Sequence, residues 1–271
     1  MKTKSFIFLV IFLVMSTISN GFGANTPTSK IKEEKVTYTV GNTVFKSVVY
    51  YDENLKGKRP AVLVIPEWWG INDYPMMRAK KLAEMGYIAM AVDMYGDGKI
   101  AANPTEAQTL TKPFYSDPQL SFIRLEAALT QLKHFKETDP ENVFAIGYCF
   151  GGSVVLNSAK LGADLKGVVS FHGGLAGVPA DKALLKARIL VCHGGSDKFV
   201  PQNDVDVFKH QMDSIHADYK FIVYANATHA FTNPASTATG IKFNMPIEYN
   251  AKADMDSWND MKLFFDQILK K

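Results

Sequence analysis

Cys149 stands in a glycine-rich stretch, FAIGYCFGGS (144–153), directly after a run of apolar residues. The pattern Gly-Tyr-Cys-Phe-Gly matches the strand-to-helix turn in which glycines on both sides let the backbone come close and expose a nucleophile. The positive end of the following helix dipole would favour a thiolate there. The alternative is a structural cysteine in a dinucleotide-binding loop, but the stretch lacks the G-x-G-x-x-G spacing of such loops. It therefore predicts a nucleophilic cysteine.

A cysteine nucleophile needs a base, because a free thiol has a pKa of about 8.5 and is mostly protonated at neutral pH. Asp197 lies in LVCHGGSDKFVP and His229 in FIVYANATHAF, each just after a predicted strand. The order nucleophile, acid, histidine is the order that accompanies this type of turn. We expect His229 to take the thiol proton and Asp197 to orient the imidazole ring.

The other histidines allow a second interpretation. His172 and His193 also follow predicted strands, and with Asp197 and His229 they would have the residue types of a metal cluster. No H-x-x-x-H or C-x-x-C pair supports such a cluster, so no metal and no cofactor is expected. The remaining histidines fall on predicted helices and are interpreted as surface residues: His134, His210 and His216.

The loop IPEWWG follows another predicted strand and precedes the cysteine in the chain. The backbone N–H groups of Trp68 and Phe150 are the expected donors to a negatively charged oxygen formed when the thiolate attacks a carbonyl. Glu67 lies between a proline and two tryptophans. It is either a solvated acid at a strand end or a carboxylate that contacts the thiol.

Strands alternate with helices along the chain after residue 35. VTYTV (36–40) and FKSVVYY (45–51) flank a Gly-Asn pair and predict antiparallel strands. Short apolar runs predict buried strands at 61–65, 87–94, 143–147, 167–171, 188–193 and 220–224. Helices are expected at 73–85, 118–137, 203–215 and 251–269, and from the cysteine turn to about residue 161. This alternation predicts an α/β fold, a mostly parallel doubly wound sheet of about eight strands with helices on both faces.

The first residues have the order of a secretory signal. Lys2 and Lys4 precede an apolar run at 6–15, and small and polar residues follow. The run is short of the about 20 apolar residues that a membrane span needs, so no stable membrane span is expected. We assign 1–24 to a signal peptide, cleaved somewhere between positions 19 and 25, and 25–271 to a single domain. The protein is accordingly expected to be exported, to the periplasm or the medium.

The charge pattern gives no sign of a polyanionic partner. The formal net charge is +3 and the lysines are scattered, so nucleic-acid binding is not expected. An exported protein whose two cysteines are Cys149 and Cys192 could also hold a disulfide. Cysteines on neighbouring strands seldom meet disulfide geometry, which favours free thiols.

In these residues the chain resembles the dienelactone hydrolase family of α/β-hydrolases. The resemblance covers about residues 30 to 271 and rests on PEWWG, DMYG, IGYCFGG, GGSDKFVP and ATHAF, in that order. It implies a catalytic triad of Cys149, Asp197 and His229, with Glu67 helping to activate the thiol. Two stretches, DMYGDGKI and HAFTNP, lack the arginines with which the best-known members hold a substrate carboxylate. The pocket is expected to be aromatic instead, with these walls: Trp68, Trp69, Tyr95 and Phe231.

Together these observations predict an exported hydrolase of a small carboxylic ester, lactone or thioester. The alternative from another class is a small-molecule binding protein on an idle hydrolase scaffold. The sequence does not determine the oligomeric state.

Overall fold

The computed structural model describes residues 29–270, so the predicted signal peptide lies outside the described residues. One sheet of eight strands has the order β1-β2-β4-β3-β5-β6-β7-β8. The strands are β1 (Ile31–Val40), β2 (Thr43–Asp52), β3 (Arg59–Ile65), β4 (Ile88–Ala91), β5 (Thr138–Tyr148), β6 (Gly167–Phe171), β7 (Arg188–Gly194) and β8 (Tyr219–Tyr224). The predicted α/β fold with about eight strands is confirmed.

The sheet changes from antiparallel to parallel at β4. β1 pairs with β2, and β2 with β4, in the antiparallel sense. All remaining neighbours are parallel. The carboxyl ends of the parallel strands therefore share one edge of the sheet, and this is the edge at which open α/β sheets bind ligands.

Seven helices connect and cover the strands in the described part of the chain. They are α1 (Asp73–Glu84), α2 (Pro104–Ser116), α3 (Pro118–His134), α4 (Phe150–Lys160), α5 (Gln202–Ser214), α6 (Ser236–Phe243) and α7 (Ala251–Leu269). Four begin at Asn or Asp residues whose side chains accept a hydrogen bond from a backbone N–H of the first turn. These caps are Asn72, Asn103, Asp117 and Asn250.

Two buried apolar layers sandwich the sheet. One packs α2, α3, α4 and α5 against one face. The other packs α1 and α7 against the opposite face. β3 lies between them, and its Ala61–Ile65 side chains are fully buried, which explains the unbroken apolar run that predicted it.

Three local predictions need correction. α2 lies where the sequence indicated a loop, since the Asn103 cap and Pro104 at the first position start a helix despite its polar composition. α6 lies in the loop after His229 and was not predicted. DPEN was expected to be a turn before β5, but it belongs to β5, where the register with β3 shifts and residues 139–142 bulge outward.

Candidate active site

Cys149 occupies a strained turn between β5 and α4. Its φ of 53° and ψ of −114° lie in a region that L-residues rarely adopt. A Cβ on Gly147 would come within 2.0 Å of the Gly151 oxygen, and a Cβ on Gly151 within 2.4 Å of the Ile65 oxygen. The two flanking glycines are therefore required by close backbone contact, the steric reason that the sequence pattern predicts.

Backbone hydrogen bonds hold this turn against its neighbours. The Cys149 N–H donates to the Phe171 oxygen at 3.0 Å and to His172 Nδ1 at 3.1 Å. The Gly151 N–H donates to the Pro66 oxygen at 3.0 Å, which joins the turn to the loop after β3. The Cys149 side chain itself makes no helix-capping hydrogen bond. The thiol is left free for other contacts.

The two predicted oxyanion donors have no hydrogen-bond acceptor among the described residues. Within residues 29–270, neither the Trp68 nor the Phe150 backbone N–H donates to another group of the chain. Phe150 opens α4, where the first N–H groups lack intrahelical acceptors. The Gly70 N–H donates to the Glu67 oxygen at 3.1 Å and so fixes the peptide plane that carries the Trp68 N–H. Their role as oxyanion donors stays a prediction.

Asp197 and His229 meet at the same edge of the sheet. Asp197 follows β7 and His229 follows β8, and His229 Nδ1 lies 2.9 Å from Asp197 Oδ2. The Asp197 side chain is fully buried, and its other oxygen accepts the Phe199 N–H at 2.8 Å. The carboxylate is thus fixed by two donors, and it orients the imidazole ring with its Nε2 directed away from Asp197.

The electrostatics of His229 depend on Cys149. Burial alone lowers the pKa of His229, but the interactions of its ring with Cys149 and the Asp197 carboxylate outweigh burial and raise that pKa to about 10. A raised pKa means that the imidazole holds its proton at neutral pH next to the sulfur. This arrangement is typical of a thiolate–imidazolium pair. The three side chains that the sequence selected are brought together.

Glu67 is buried beside this pair, and only 3 % of it is exposed. Its Oε2 accepts a hydrogen bond from Asn233 Nδ2 at 2.7 Å. Burial raises the pKa of Glu67 to about 7, although the Asn233 hydrogen bond and the charges of His229 and Arg78 act to lower it. The carboxyl therefore changes protonation near neutral pH. Asn233 was missed at the sequence level, where its stretch HAFTNP was noted only for the missing arginine.

A cavity of about 590 Å³ contains the reactive side chains of Glu67, Cys149 and His229. Aromatic rings line much of it: Trp68, Trp69, Tyr115 and Phe199. Besides His229, Lys112 is the basic side chain among the described lining residues, and it is an exposed residue of α2. The pocket is thus more aromatic than cationic.

Two of the expected walls lie behind the cavity instead. Tyr95 stacks on Phe150 at 5.9 Å between ring centroids, and its hydroxyl donates to the Trp68 oxygen at 2.9 Å. Phe231 is fully buried and packs against His172. Both aromatic rings are packed into the buried layers on the two faces of the sheet, which leaves them no surface toward the cavity. Tyr115 of α2 and Phe199 were not predicted as walls.

The remaining histidines near the site do not form a metal cluster. His172 Nδ1 accepts the Cys149 N–H and its Nε2 lies 2.7 Å from Thr232 Oγ1, so both nitrogens are already occupied. His193 packs against the Phe221 ring. Among residues 29–270, no group of three or more His, Cys, Asp or Glu side chains is placed to hold a metal ion. Both cysteines are free thiols.

Comparison with known proteins identifies the family. The sequence model described as the dienelactone hydrolase family matches residues 45–269. The chain belongs to the dienelactone hydrolase family. The resemblance noted in the motifs is thereby confirmed, and the protein is a hydrolase of this family.

Individual relatives agree with this assignment. A putative carboxymethylenebutenolidase from Yersinia pestis is 27% identical over 223 residues, which cover 78% of this chain and 79% of that protein. The structure named m3DLH is 35% identical with a TM-score of 0.84 and covers 88% of this chain and 98% of its own. A dienelactone hydrolase-like promiscuous phosphotriesterase, P91, from metagenomic libraries is 33% identical with a TM-score of 0.83 and the same coverages.

Membrane-spanning helices are absent from the part of the chain that the structure describes. Over residues 29–270, every helix is too short or too polar to cross a bilayer.

Proposed function

We propose that the protein is an exported hydrolase that uses Cys149 as nucleophile on a carboxylic ester, lactone or thioester. The observation that carries this proposal is the strained Cys149 turn opening into the cavity that His229 also lines, with His229 held by Asp197 at 2.9 Å. Family membership supports the reaction class.

The first half of the reaction forms a thioester. The Cys149 thiolate attacks the carbonyl carbon, a sulfur–carbon bond forms, and the carbonyl electron pair moves to oxygen. The Trp68 and Phe150 N–H groups stabilise that oxyanion. The carbon–oxygen bond to the leaving group then breaks, and the leaving oxygen takes the proton of the His229 imidazolium.

The second half returns the enzyme to its starting state. Neutral His229 removes a proton from water as the water oxygen attacks the thioester carbon. The resulting oxyanion expels the Cys149 sulfur as thiolate and releases the acid. The imidazolium again faces a thiolate, so protons and charges balance over the cycle. Asp197 keeps the ring tautomer and stabilises its charged form throughout.

Glu67 is the second proton carrier of the proposed site. A carboxyl with a pKa of about 7 can exchange a proton near neutral pH, which suits the role in thiol activation that the family resemblance implies. Its position in the cavity that holds the thiol, beside His229, supports this role.

The cavity favours uncharged substrates with an apolar or aromatic group. Its walls are aromatic, and a substrate carboxylate would meet Glu67 in the buried part. The charge of the His229 imidazolium there is already paired with Asp197, and Lys112 is exposed. A desolvated carboxylate without a partner is strongly disfavoured. We therefore expect aryl or alkyl esters and neutral lactones to be better substrates than acidic ones.

A substrate panel with wild type and Cys149→Ala tests the function. It contains p-nitrophenyl esters, neutral and carboxylate-bearing lactones, and acyl thioesters. One neutral phosphotriester is added, because P91 is described as a promiscuous phosphotriesterase. Hydrolysis by wild type that Cys149→Ala loses supports the proposal. Equal rates in the two proteins, or slow iodoacetamide labelling of Cys149 with no hydrolysis, would instead favour a binding protein.

Export is tested separately. The proposed signal, residues 1–24, predicts that the mature protein starts between positions 20 and 25 and is recovered outside the cytoplasm. N-terminal sequencing of protein purified from cell fractions measures both. A mature chain that retains residue 1 in the cytoplasmic fraction would contradict export.

A further inference from the structure

A buried cation lies behind the site, in the layer between the sheet and α7. The Arg78 side chain, on α1, is 2 % exposed. Its Nη2 donates to the Thr232 backbone oxygen at 2.6 Å and to Asp254 Oδ1 at 2.5 Å. Aromatic rings surround the guanidinium at 5.2–5.5 Å from their centroids: Tyr74, Tyr148 and Trp258.

A continuous chain of hydrogen bonds runs from this cation to the nucleophile. Arg78 Nε donates to the Tyr74 hydroxyl at 3.2 Å, and that hydroxyl lies 2.6 Å from Thr232 Oγ1. Thr232 Oγ1 lies 2.7 Å from His172 Nε2, and His172 Nδ1 accepts the Cys149 N–H at 3.1 Å. The last bond ends on the backbone of the reactive cysteine.

His172 takes part in this chain of hydrogen bonds only in its neutral form. Burial, and then the charges of His229 and Arg78, hold the pKa of His172 well below its usual range. Nδ1 accepts the Cys149 N–H, so Nε2 carries the ring proton and donates it to Thr232. His172 also has a φ of 42°, a left-handed conformation that is uncommon for residues other than glycine. The network holds its ring where it supports the turn.

Arg78 also holds the loop that carries His229, the proposed base. Thr232 comes three residues after His229, and Arg78 contacts it through both its backbone oxygen and, by way of Tyr74, its hydroxyl. Both loops that carry reacting groups are thus tied to one guanidinium. A contribution to stability alone does not explain why Arg78 is paired with Asp254 in the protein interior, because well-packed apolar residues often replace a buried ion pair without loss of stability.

We infer that Arg78 is a positioning residue, which holds the Cys149 turn and the His229 loop in register through Thr232 and His172. This inference rests on the proposed function. Arg78 touches neither the cavity nor the reacting sulfur, so its effect is on geometry and not on binding. A displacement of the two loops by about 1 Å is enough to slow the attack step by up to about 100-fold.

Four variants test the inference. Thr232→Val removes the shared hydroxyl and leaves the Arg78–Asp254 pair in place, and Thr232→Ser keeps the hydroxyl. Arg78→Lys keeps the charge but loses the second donor nitrogen. Lys160→Met is the matched control, since Lys160 is another buried cation, on α4, with no contact to this network.

The readouts are kcat and KM for an ester from the panel, and the pH profile of Cys149 alkylation by iodoacetamide. Thr232→Val and Arg78→Lys should lose about 10- to 100-fold in kcat with little change in KM, the size expected of misplaced reacting groups. Both should also shift the alkylation profile. Thr232→Ser and Lys160→Met should behave like wild type.

The inference is overturned if folded Thr232→Val keeps both kcat and the alkylation profile of wild type. It is likewise overturned if Thr232→Ser loses as much as Thr232→Val, because the hydroxyl is then not the cause. If Arg78→Lys does not fold, Thr232→Val decides. If wild type is alkylated at Cys149 but hydrolyses nothing in the panel, the hydrolase proposal fails, while the alkylation profiles still test Arg78.

Discussion

Asn233 donates its side-chain N–H to Glu67 across 2.7 Å, from a buried position behind the active-site cavity. The Asn233 Oδ1 accepts the Ala235 N–H at 3.0 Å, which fixes the amide with its nitrogen toward the carboxyl. Glu67 therefore has a neutral partner where a cation would have kept it fully ionised. The effect of burial is larger than that of the Asn233 hydrogen bond, so the pKa of Glu67 is raised to about 7.

This pairing predicts the pH dependence of the reaction. The pH profile of kcat/KM should rise through an ionisation near pH 7 as Glu67 becomes a carboxylate. Glu67→Gln should lose that ionisation and about 10²-fold or more of kcat/KM, the size of a general acid–base contribution. The Asn233 hydrogen bond lowers the pKa of Glu67, so Asn233→Leu should move the ionisation to higher pH. An unchanged profile in Glu67→Gln would assign the ionisation to another group.

Asp197 is predicted to act through the ring of His229. Asp197→Asn should lower kcat by roughly 10³- to 10⁴-fold with a small effect on KM, because the amide favours the wrong tautomer of the ring. Asp218→Asn is the matched control, since Asp218 pairs with Arg188 at the surface, at the amino ends of β7 and β8 and so at the opposite edge of the sheet from the reacting groups. Steady-state kinetics on both variants measure the difference. A loss of kcat common to the two would contradict a specific role.

The two thiols should differ sharply in reactivity. Cys149 borders the cavity, whereas Cys192 is fully buried and burial raises its pKa to about 12. Native protein should take up one iodoacetamide label, at Cys149, and a second only when unfolded. Mass spectrometry of labelled peptides measures this. Cys192→Ala should keep the native label and Cys149→Ala should lose it; any other pattern contradicts the assignment.

Lys160 predicts a stability effect that is separate from catalysis. Its side chain is buried on α4 beside Phe208, and burial lowers its pKa to about 8. Between pH 8 and the ordinary pKa of lysine, the unfolded chain binds this proton and the folded protein does not, so stability should rise with pH. At pH 7 the folded protein instead carries the buried charge.

Lys160→Met should accordingly stabilise the protein at pH 7 by roughly 1–3 kcal/mol, the free energy of such a pKa difference. The gain should shrink as the pH rises through 8 to 10. Thermal unfolding across this pH range measures it, with Lys133→Met as a control at the surface ion pair with Asp164. A gain that is constant with pH would show that packing, and not the charge, is responsible.

The elements that carry the reacting groups were predictable because their constraints are local. A glycine before and after Cys149 is required by contacts within a few residues, and an apolar run predicts each buried strand without knowledge of its neighbours. The order of strands then places Asp197 and His229 at one edge of the sheet. α2 escaped prediction because Asn103 and Pro104 at its start and Pro113 within it are typical of loops. α6 escaped prediction because it has only eight residues and contains Gly240.

The supporting residues could not be predicted in the same way. Arg78 contacts Thr232, which lies 154 positions along the chain, and Glu67 contacts Asn233 across 166 positions. Such partners depend on how α1, the strand ends and the loop after β8 pack together. In the sequence, a buried arginine looks like any other arginine on an amphipathic helix.

The burial of Cys192 leaves Cys149 without a partner thiol. Cys192 is fully buried in β7, so no second cysteine is accessible at the edge of the sheet where Cys149 lies. If an oxidant converts Cys149 to a sulfenic acid, no internal disulfide can intercept it before further, irreversible oxidation. Recovery then requires a small reducing thiol from the surroundings. We therefore expect the redox balance of its surroundings to set how long the protein keeps its reactive thiol.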